Sequence, residues 1–166
     1  MDVLLPRELI ELAERVVVAN RAAGRRVALA ESCTGGLVSA ALTEIPGSSD
    51  VVEAGFVTYS NQAKISMLNV SAEVIETFGA VSTATAWGMA QGALAASEAD
   101  VAVAITGVAG PGGGTPKKPV GTVVFAQALR GGDPEEVKAE RHEFGDIGRG
   151  AIRLQAALLA LELLLP

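Results

Sequence analysis

The sequence is short of cysteine and histidine, and this shortage excludes several kinds of site. Its 166 residues include one cysteine, Cys33, and one histidine, His142. A single cysteine cannot form an internal disulfide, and one Cys with one His cannot build a Cys/His metal cluster. No spaced Asp/Glu motif indicates a carboxylate metal site. We therefore expect a cytoplasmic protein with no metal, because such cysteine usage is typical of a reducing compartment.

Positive charge and aromatic side chains are also scarce. Lys and Arg number 13 against 19 Asp and Glu, which gives a formal net charge of −6. A protein that binds the nucleic-acid backbone needs a basic face, so we expect no nucleic-acid partner. Hydrophobic residues make up 49% of the chain but aromatic residues only 4%, so the core is predicted to be aliphatic.

Long uninterrupted hydrophobic runs are missing as well. The apolar run at the C-terminus contains Arg153, Gln155 and Glu162 and is too short to span a bilayer. Residues 1–8 lack a basic segment followed by an apolar run, so no signal peptide and no membrane partner are predicted. The last helix, 149–164, is apolar nearly all round, and we expect it to be buried in the core or covered by another subunit.

A length of 166 residues suits one compact domain, which we expect over residues 1–166. Gly24 is predicted to end the first helix, and Ser60 and Ser82 to cap later ones. The predicted fold is a three-layer α/β/α sandwich with a mixed, mostly parallel sheet of about five strands. The expected helices cover 7–23, 37–45, a segment from 61, a short stretch after 71, 84–97 and 149–164. The expected strands cover 26–30, 53–60, 100–106, 120–129 and 136–144.

The segment 31–36, ESCTGG, connects a predicted strand to a predicted helix. At such a corner a hydroxyl is exposed at the end of the sheet, and the N–H groups of the first helical turn face the ligand. Ser32 there has the setting of a nucleophile. The N–H groups of Thr34, Gly35 and Gly36 are candidate donors to an oxyanion or a phosphate. The alternative is that Ser32 or Thr34 only caps the helix.

A serine nucleophile needs a base, and Lys64 is the favoured candidate. It falls in the first turn of a predicted helix, where the helix dipole disfavours an ammonium, and partial burial would lower its pKa further. Tyr59, on the same connection, is placed to relay or orient a proton. His142 lies in a charged edge strand, which favours an ordinary surface histidine. The alternatives are an exposed helix lysine at 64 and Cys33 as a rival nucleophile without an evident base.

Three segments end predicted strands with small or polar residues: 31–36, 58–64 and 106–115. If the strands run parallel, these segments meet in one crevice, because ligands of open α/β sheets bind beyond the carboxyl ends of the strands. Thr106 is a candidate substrate ligand there. The glycine-rich loop 107–116 fits neither the Walker nor the GxGxxG pattern, so no nucleoside triphosphate or dinucleotide site is predicted. It suits close approach of a small anionic ligand, although a flexible surface loop has the same composition.

Several sequence blocks occur together in the order found in one known family. They are ESCTGG at 31–36, PGSS at 46–49, VTYSN at 57–61 with Lys64, GAVS at 79–82, ITG at 105–107, GPGGG at 110–114 and KPVG at 118–121. With these blocks the chain closely resembles the C-terminal domain of the competence/damage-inducible protein CinA, the nicotinamide mononucleotide (NMN) deamidase family. The resemblance runs from the first helix to the last, and so many blocks in order make it specific.

The resemblance implies an enzyme that hydrolyses the amide of NMN to nicotinic acid mononucleotide and ammonia, without a cofactor. It implies a Ser–Lys mechanism in which Ser32 is the nucleophile, Lys64 is the base and Tyr59 assists. It also implies a stand-alone deamidase that forms a homo-oligomer. Together, the residue pattern and the resemblance give the expected substrate-binding residues: Thr34, Gly35, Gly36, Thr106, Gly107, Gly110, Gly112, Gly113 and Arg149.

The chain departs from the family pattern before its last helix. The family typically reads Gly-Asp-Arg, whereas this chain reads GDIGR at 145–149. A two-residue insertion explains the difference better than loss of the arginine, because the later Arg-x-x-Ile-Arg spacing is kept. Two other functions fit the same residues. One is a non-catalytic nucleotide-binding module, and the other is an assembly module of competence or the DNA damage response that binds a partner through its last helix.

Overall fold

The structure is a computed structural model that describes residues 4–166. The prediction for residues 1–8 rests in part on residues 1–3, which lie outside the described residues. Within 4–166 the chain forms six α-helices and five β-strands. The helices are α1 (Arg7–Ala22), α2 (Leu37–Thr43), α3 (Asn61–Leu68), α4 (Ala72–Phe78), α5 (Thr83–Ala95) and α6 (Arg149–Leu163). The strands are β1 (Val27–Glu31), β2 (Val52–Val57), β3 (Val101–Gly107), β4 (Thr122–Leu129) and β5 (Lys138–Glu143).

The five strands form one sheet in the order β2-β1-β3-β4-β5. β1 pairs in parallel with β2 and β3, whereas β4 pairs antiparallel with β3 and β5. Four strands therefore run in one direction and β4 alone runs against them, although parallel and antiparallel pairs are equal in number. The predicted mixed, mostly parallel sheet is confirmed. Its register places Glu31 beside Val57 on one side and beside Ile105 on the other.

Helices cover both faces of the sheet, which confirms the predicted three-layer sandwich. Successive side chains of a strand point to opposite faces of the sheet. Here the side chains on one face are larger than those on the other. On one face, large aliphatic residues such as Leu29 and Val103 pack against α1, α2 and α6. The other face carries mostly alanine, such as Ala30 and Ala104, and packs against the Ala-rich helix α5. The core is aliphatic, as the composition predicts.

Serine caps begin three of the helices, and the sequence predicts two of these caps, at Ser60 and Ser82. β2 ends at Val57, three residues before its predicted end, because the chain leaves the sheet before the cap of α3. β4 begins at Thr122, two residues late, because Gly121 before it has a left-handed φ of +96°. The other boundaries lie within two residues of the predicted ones. The hydroxyls of Ser60, Ser71 and Ser82 accept the N–H groups of Ala63, Val74 and Thr85 at 3.0, 3.3 and 3.1 Å.

The last helix, α6, buries one side in the core. Ile152, Ala156 and Leu161 are buried, and the helix packs beside α1. Apolar residues on its other sides, such as Leu158, are only half-buried. Core burial, the first of the two predicted alternatives, therefore accounts for one face of α6. No helix within residues 4–166 has the length and apolar character needed to cross a bilayer.

Candidate active site

The carboxyl ends of β1, β2 and β3 meet at one edge of the sheet, as predicted. Ser32 follows β1 directly, and its N–H donates to the Ile105 carbonyl of β3 at 2.9 Å. Thr58 follows β2, and its N–H donates to the Glu31 carbonyl at 2.8 Å. These bonds extend the parallel ladder by one residue on each side of β1. The backbone of Ser32 is therefore held by two neighbouring strands.

The side chain of Lys64 reaches Ser32. Its Nζ lies 2.9 Å from Ser32 Oγ. The same nitrogen donates to the carbonyls of Thr58 and Tyr59 at 3.0 and 3.2 Å. Lys64 is only 1% exposed and Ser32 only 7%. Because the Ser60 cap fixes the first turn of α3, Lys64 extends from that turn back to the end of β1.

Burial also changes the proton affinity of this lysine. Desolvation lowers the pKa of Lys64 below its ordinary value of 10.5, because burial disfavours the ammonium. Within residues 4–166 no carboxylate lies at ion-pair distance from its Nζ. A neutral amine has two N–H bonds, which match the Thr58 and Tyr59 carbonyls, and one lone pair. That lone pair then faces the Ser32 hydroxyl, so the site suits a lysine that accepts a proton from serine.

A buried carboxylate holds the backbone around Ser32. Glu31 is fully buried and accepts four hydrogen bonds. The hydroxyls of Thr34 and Ser39 donate at 2.7 Å each, and the N–H groups of Val38 and Ser39 donate at 3.0 Å each. These donors compensate the buried charge and include N–H groups that have no intrahelical acceptor. Neither Ser32 nor Thr34 caps α2, because Glu31 takes that role.

Arg149, the first residue of α6, reaches the same site. Its Nη1 donates to the Gly110 carbonyl at 2.7 Å, and its Nη2 donates to the Tyr59 hydroxyl oxygen at 3.1 Å. Tyr59 is 61% exposed, so this pair lies at the mouth of the site. The arginine thereby links the glycine-rich loop to the connection between β2 and α3.

Ser32 and Lys64 line a cavity of about 170 Å³. Five further residues beyond those predicted line it: Cys33, Asn61, Ala80, Val81 and Ala109. The Thr106 hydroxyl donates to the Ala80 carbonyl at 2.9 Å and so fixes one wall. Whether Thr106 also binds a substrate stays a prediction. The predicted site residues that the fold brings together here are Ser32, Tyr59, Lys64, Thr106, Gly107 and Arg149.

Three predicted residues lie in the turn after Ser32 but do not line this cavity. The hydroxyl of Thr34 donates to Glu31, and the residue is fully buried. The N–H of Gly35 donates to the Ser32 carbonyl at 3.0 Å. Gly35 is therefore not a free donor, which corrects the expectation for this residue. Gly36 has a left-handed φ of +96° and begins α2.

The remaining predicted glycines lie farther along the glycine-rich loop. Gly110 contacts Arg149 through its carbonyl. Gly112 and Gly113 line a separate, open cavity of about 720 Å³ beside Glu143 and Asp146. Those two carboxylates disfavour an anionic ligand in the larger cavity, because like charges repel. The smaller cavity is the one that contains the serine and the lysine.

The two other candidate reactive groups, Cys33 and His142, differ in their position relative to the cavity. Cys33 lines the cavity, but burial raises the pKa of its thiol to about 11, so the reactive thiolate is disfavoured. His142 lies on β5, 3.2 Å from Glu140, and stacks on Phe144. It does not line the cavity, which agrees with its interpretation as a surface histidine. Within residues 4–166 no group of three or more His, Cys, Asp or Glu is arranged to hold a metal ion.

Sequence reasoning missed two charged residues that shape the site. Glu31 directly precedes Ser32, and an acidic residue at the end of an apolar strand was the available signal. Arg153 donates to the carbonyls of Cys33 and Thr34 at 3.1 Å each. Its signal was a single charge within an otherwise apolar stretch of α6. Neither signal identifies the contact that the side chain makes.

Comparisons with known proteins identify the family. The profile of the CinA C-terminal domain matches residues 9–166. The chain is 48% identical over 156 residues to nicotinamide-nucleotide amidohydrolase PncC of Enterobacter agglomerans, covering 94% of this chain and 93% of that protein. It is 56% identical over 108 residues to a CinA-like protein of Akkermansia muciniphila, covering 65% of this chain. That match spans only 26% of the longer relative.

A solved structure matches the fold over almost its whole length. The crystal structure of competence/damage inducible protein CihA from Agrobacterium tumefaciens has a TM-score of 0.93 at 52% identity, covering 98% of this chain and 97% of that one. Fold and site define an α/β sandwich with a buried serine–lysine pair at the carboxyl edge of its sheet. The chain belongs to the CinA C-terminal domain family, which the sequence blocks predicted.

Proposed function

We propose that this protein is an amidohydrolase that converts NMN to nicotinic acid mononucleotide and ammonia. The observation that carries the proposal is the buried contact of 2.9 Å between Ser32 Oγ and Lys64 Nζ. A lysine with a lowered pKa at hydrogen-bond distance from a serine hydroxyl is the arrangement that activates a serine nucleophile. Relatives named nicotinamide-nucleotide amidohydrolase, at 48% identity over nearly the whole chain, support the choice of substrate.

The first half of the reaction is acyl transfer to Ser32. Neutral Lys64 takes the proton from Ser32 Oγ while the oxygen bonds to the carboxamide carbon, and the carbonyl π electrons move to its oxygen. The tetrahedral intermediate then collapses. The C–N bond breaks, the nitrogen takes the proton from Lys64, and ammonia leaves. An ester between Ser32 and the nicotinoyl group remains, and Lys64 is again neutral.

The second half of the reaction returns the enzyme to its starting state. Lys64 takes a proton from water, whose oxygen attacks the ester carbon. The second tetrahedral intermediate breaks its bond to Ser32 Oγ, and the proton on Lys64 passes to that oxygen. The product leaves as nicotinic acid mononucleotide. Tyr59 assists indirectly in this proposal, because its carbonyl orients Nζ while its hydroxyl contacts Arg149.

The size of the cavity suggests how the substrate lies. A volume of about 170 Å³ suits an aromatic ring with its carboxamide but not a whole nucleotide. Ala80, Val81 and Ala109 provide apolar walls for such a ring. The ribose and phosphate then extend through the mouth, where Arg149 carries a positive charge. A guanidinium is well suited to bind a phosphate, so Arg149 is the proposed phosphate ligand.

An ammonia-release assay with NMN tests the proposal. The wild-type chain is expected to release one ammonia per nicotinic acid mononucleotide formed, and Ser32→Ala to lower the rate by at least about a thousandfold. Ser71→Ala is the matched control, because it removes a hydroxyl that caps α4 outside the cavity. Saturable NMN binding without ammonia release would instead support a non-catalytic nucleotide-binding module. Equal rates in Ser32→Ala and wild type would rule out the serine mechanism.

A further inference from the structure

The peptide groups that follow Ser32 are held in fixed directions. We call residues 32–36 the nucleophile turn. The Ser32 carbonyl accepts the Gly35 N–H at 3.0 Å. The Cys33 carbonyl accepts Arg153 Nε at 3.1 Å, and the Thr34 carbonyl accepts Arg153 Nη2 at the same distance. Three successive carbonyls of the nucleophile turn are therefore engaged, two of them by one guanidinium.

Within residues 4–166 the guanidinium of Arg153 donates hydrogen bonds only to these two carbonyls. It lies one helical turn after Arg149 on α6 and is half-buried. Within residues 4–166 it forms no ion pair with a carboxylate. A side chain added at Gly35 would put its Cβ 3.3 Å from Arg153 Nη2, so glycine there leaves room for the guanidinium. The rigid fork of arginine suits two neighbouring carbonyls.

Because a peptide group is planar, a contact that holds its carbonyl also fixes the direction of its N–H. The C=O and N–H of a trans peptide lie in one plane and point in opposite directions. Because Arg153 holds the Cys33 carbonyl, it also sets the direction of the Thr34 N–H. The Cys33 N–H is set in the same way by the bond between the Ser32 carbonyl and Gly35. Within residues 4–166 the N–H groups of Cys33 and Thr34 donate to no protein acceptor.

Two other N–H groups of the nucleophile turn are engaged, whereas the Gly36 N–H, at the start of α2, has no protein acceptor within residues 4–166. The Ser32 N–H donates to the Ile105 carbonyl, and the Gly35 N–H donates to the Ser32 carbonyl. A buried backbone N–H without an acceptor is rare in folded proteins, and a pair of them beside a nucleophile resembles an oxyanion site. The N–H of the residue after the nucleophile serves as such a donor in other serine hydrolases.

We infer that Arg153 is a positioning residue that fixes the nucleophile turn, so that the N–H of Cys33, which lines the cavity, and the N–H of the next residue, Thr34, serve as the oxyanion donors of the reaction. The inference rests on the proposed function, because an oxyanion forms only if Ser32 attacks a carboxamide. It replaces the expectation that Gly35 is among the donors. The guanidinium charge also acts on the nucleophile turn, since it lowers the pKa of the Cys33 thiol against the larger effect of burial.

The kinetics of Arg153→Ala, measured per active site with NMN as substrate, test this inference. We expect kcat to fall about a hundredfold, the cost of weakening an oxyanion donor, while KM changes less than about threefold. Arg153→Lys is expected to recover only part of the loss, because an ammonium cannot hold two carbonyls in a fork. Free guanidinium ion in the assay is expected to restore part of the kcat of Arg153→Ala.

Arg130→Ala is the matched control. Arg130 also donates to backbone carbonyls, those of Leu94, Ser97 and Ala99, but does so away from the cavity. It is expected to lose stability with unchanged kcat and no response to guanidinium. If Arg153→Ala does not fold, Arg153→Lys is decisive, with at least a tenfold lower kcat expected. Unchanged kcat in an Arg153 variant overturns this inference alone, whereas a wild-type chain that releases no ammonia overturns the proposed function as well.

Discussion

The amino and carboxyl ends of the three parallel strands differ in whether their charged side chains are paired with an opposite charge. At the amino end, the guanidinium of Arg26 donates to the Glu53 carboxylate at 2.7 Å. The N–H of Arg26 donates to the Asp100 carboxylate at 2.7 Å. At the carboxyl end, Lys64 is far more deeply buried, yet among residues 4–166 its nitrogen donates or accepts hydrogen bonds only with the Ser32 hydroxyl and two carbonyls. One end pairs its charges, whereas at the other end no carboxylate of residues 4–166 pairs with the amine.

Under the proposed function, this difference separates residues that stabilise the fold from a lysine that acts in the chemistry. A buried lysine without a carboxylate costs stability, because burial removes the hydration of its ammonium. Glu31 lies close by in the chain, but its charge is taken up by four hydrogen-bond donors. Such a departure from the pairing rule is expected at functional sites.

The largest expected effect comes from removing the unpaired amine. Lys64→Met keeps the length of the side chain but has no nitrogen to take the Ser32 proton. We expect ammonia release from NMN to fall by at least about a thousandfold. Lys138→Met, on the exposed edge strand β5, is the matched control and is expected to keep wild-type activity. Activity above a tenth of wild type in Lys64→Met would show that another group is the base.

The pH dependence of activity should reveal the same amine. Because burial lowers the pKa of Lys64 below 10.5, kcat/KM is expected to rise with pH through that lowered value. Above it the lysine is neutral and able to accept a proton, and below it the lysine is an ammonium. A profile that is flat, or that falls with rising pH over this range, would contradict the role of Lys64 as the base.

The free energy of unfolding should follow the same titration. Between the lowered pKa of folded Lys64 and the ordinary 10.5, the unfolded chain binds more protons than the folded one. Stability therefore rises with pH in this window, and the destabilisation is complete below the folded pKa. Urea unfolding of wild type and Lys64→Met across this range measures the effect, because the variant lacks this contribution.

At the amino end of the strands, removing a charge should lower stability and leave activity unchanged. Glu53→Gln removes the charge that Arg26 contacts, and we expect the free energy of unfolding to fall by about 1 kcal/mol with unchanged activity. The pair is partly exposed, so the loss should shrink in high salt. Urea unfolding at two salt concentrations measures it. Glu76→Gln, at an exposed position on α4 outside any ion pair within residues 4–166, is the control. Lost activity in Glu53→Gln would contradict the view that charges at the amino end of the strands serve only stability.

Local sequence signals were sufficient to predict the helices and strands and to select Ser32 and Lys64 as candidate site residues. Serine caps and glycine turns act within a few residues, so the caps at Ser60 and Ser82 could be read directly from the chain. The meeting of Ser32 with Lys64 needed one further assumption, that the first three strands run parallel. The pairing of β1 with β2 and with β3 confirms it. The meeting of the two residues was therefore predictable, while the distance between their atoms was not.

Contacts between distant parts of the chain escaped the sequence analysis. Arg153 reaches carbonyls 120 and 119 residues earlier, and no local pattern specifies which backbone a helix will touch. The same holds for Gly112 and Gly113, which face the larger cavity because of how the loop folds over β5. Glu31 was visible beside Ser32, but its burial depends on the packing of α2 against β1. Tertiary packing decides all three cases.

The smallest expected effect concerns Cys33, which lines the cavity beside the amine. Its thiol is raised to a pKa of about 11 by burial, so it is protonated and unreactive at neutral pH. Cys33→Ala should therefore lower ammonia release by less than about tenfold, through altered packing only. Iodoacetamide should label the native protein slowly and the urea-unfolded protein fast, as mass spectrometry can measure. If Cys33→Ala abolished turnover while Ser32→Ala kept it, the nucleophile would be the thiol.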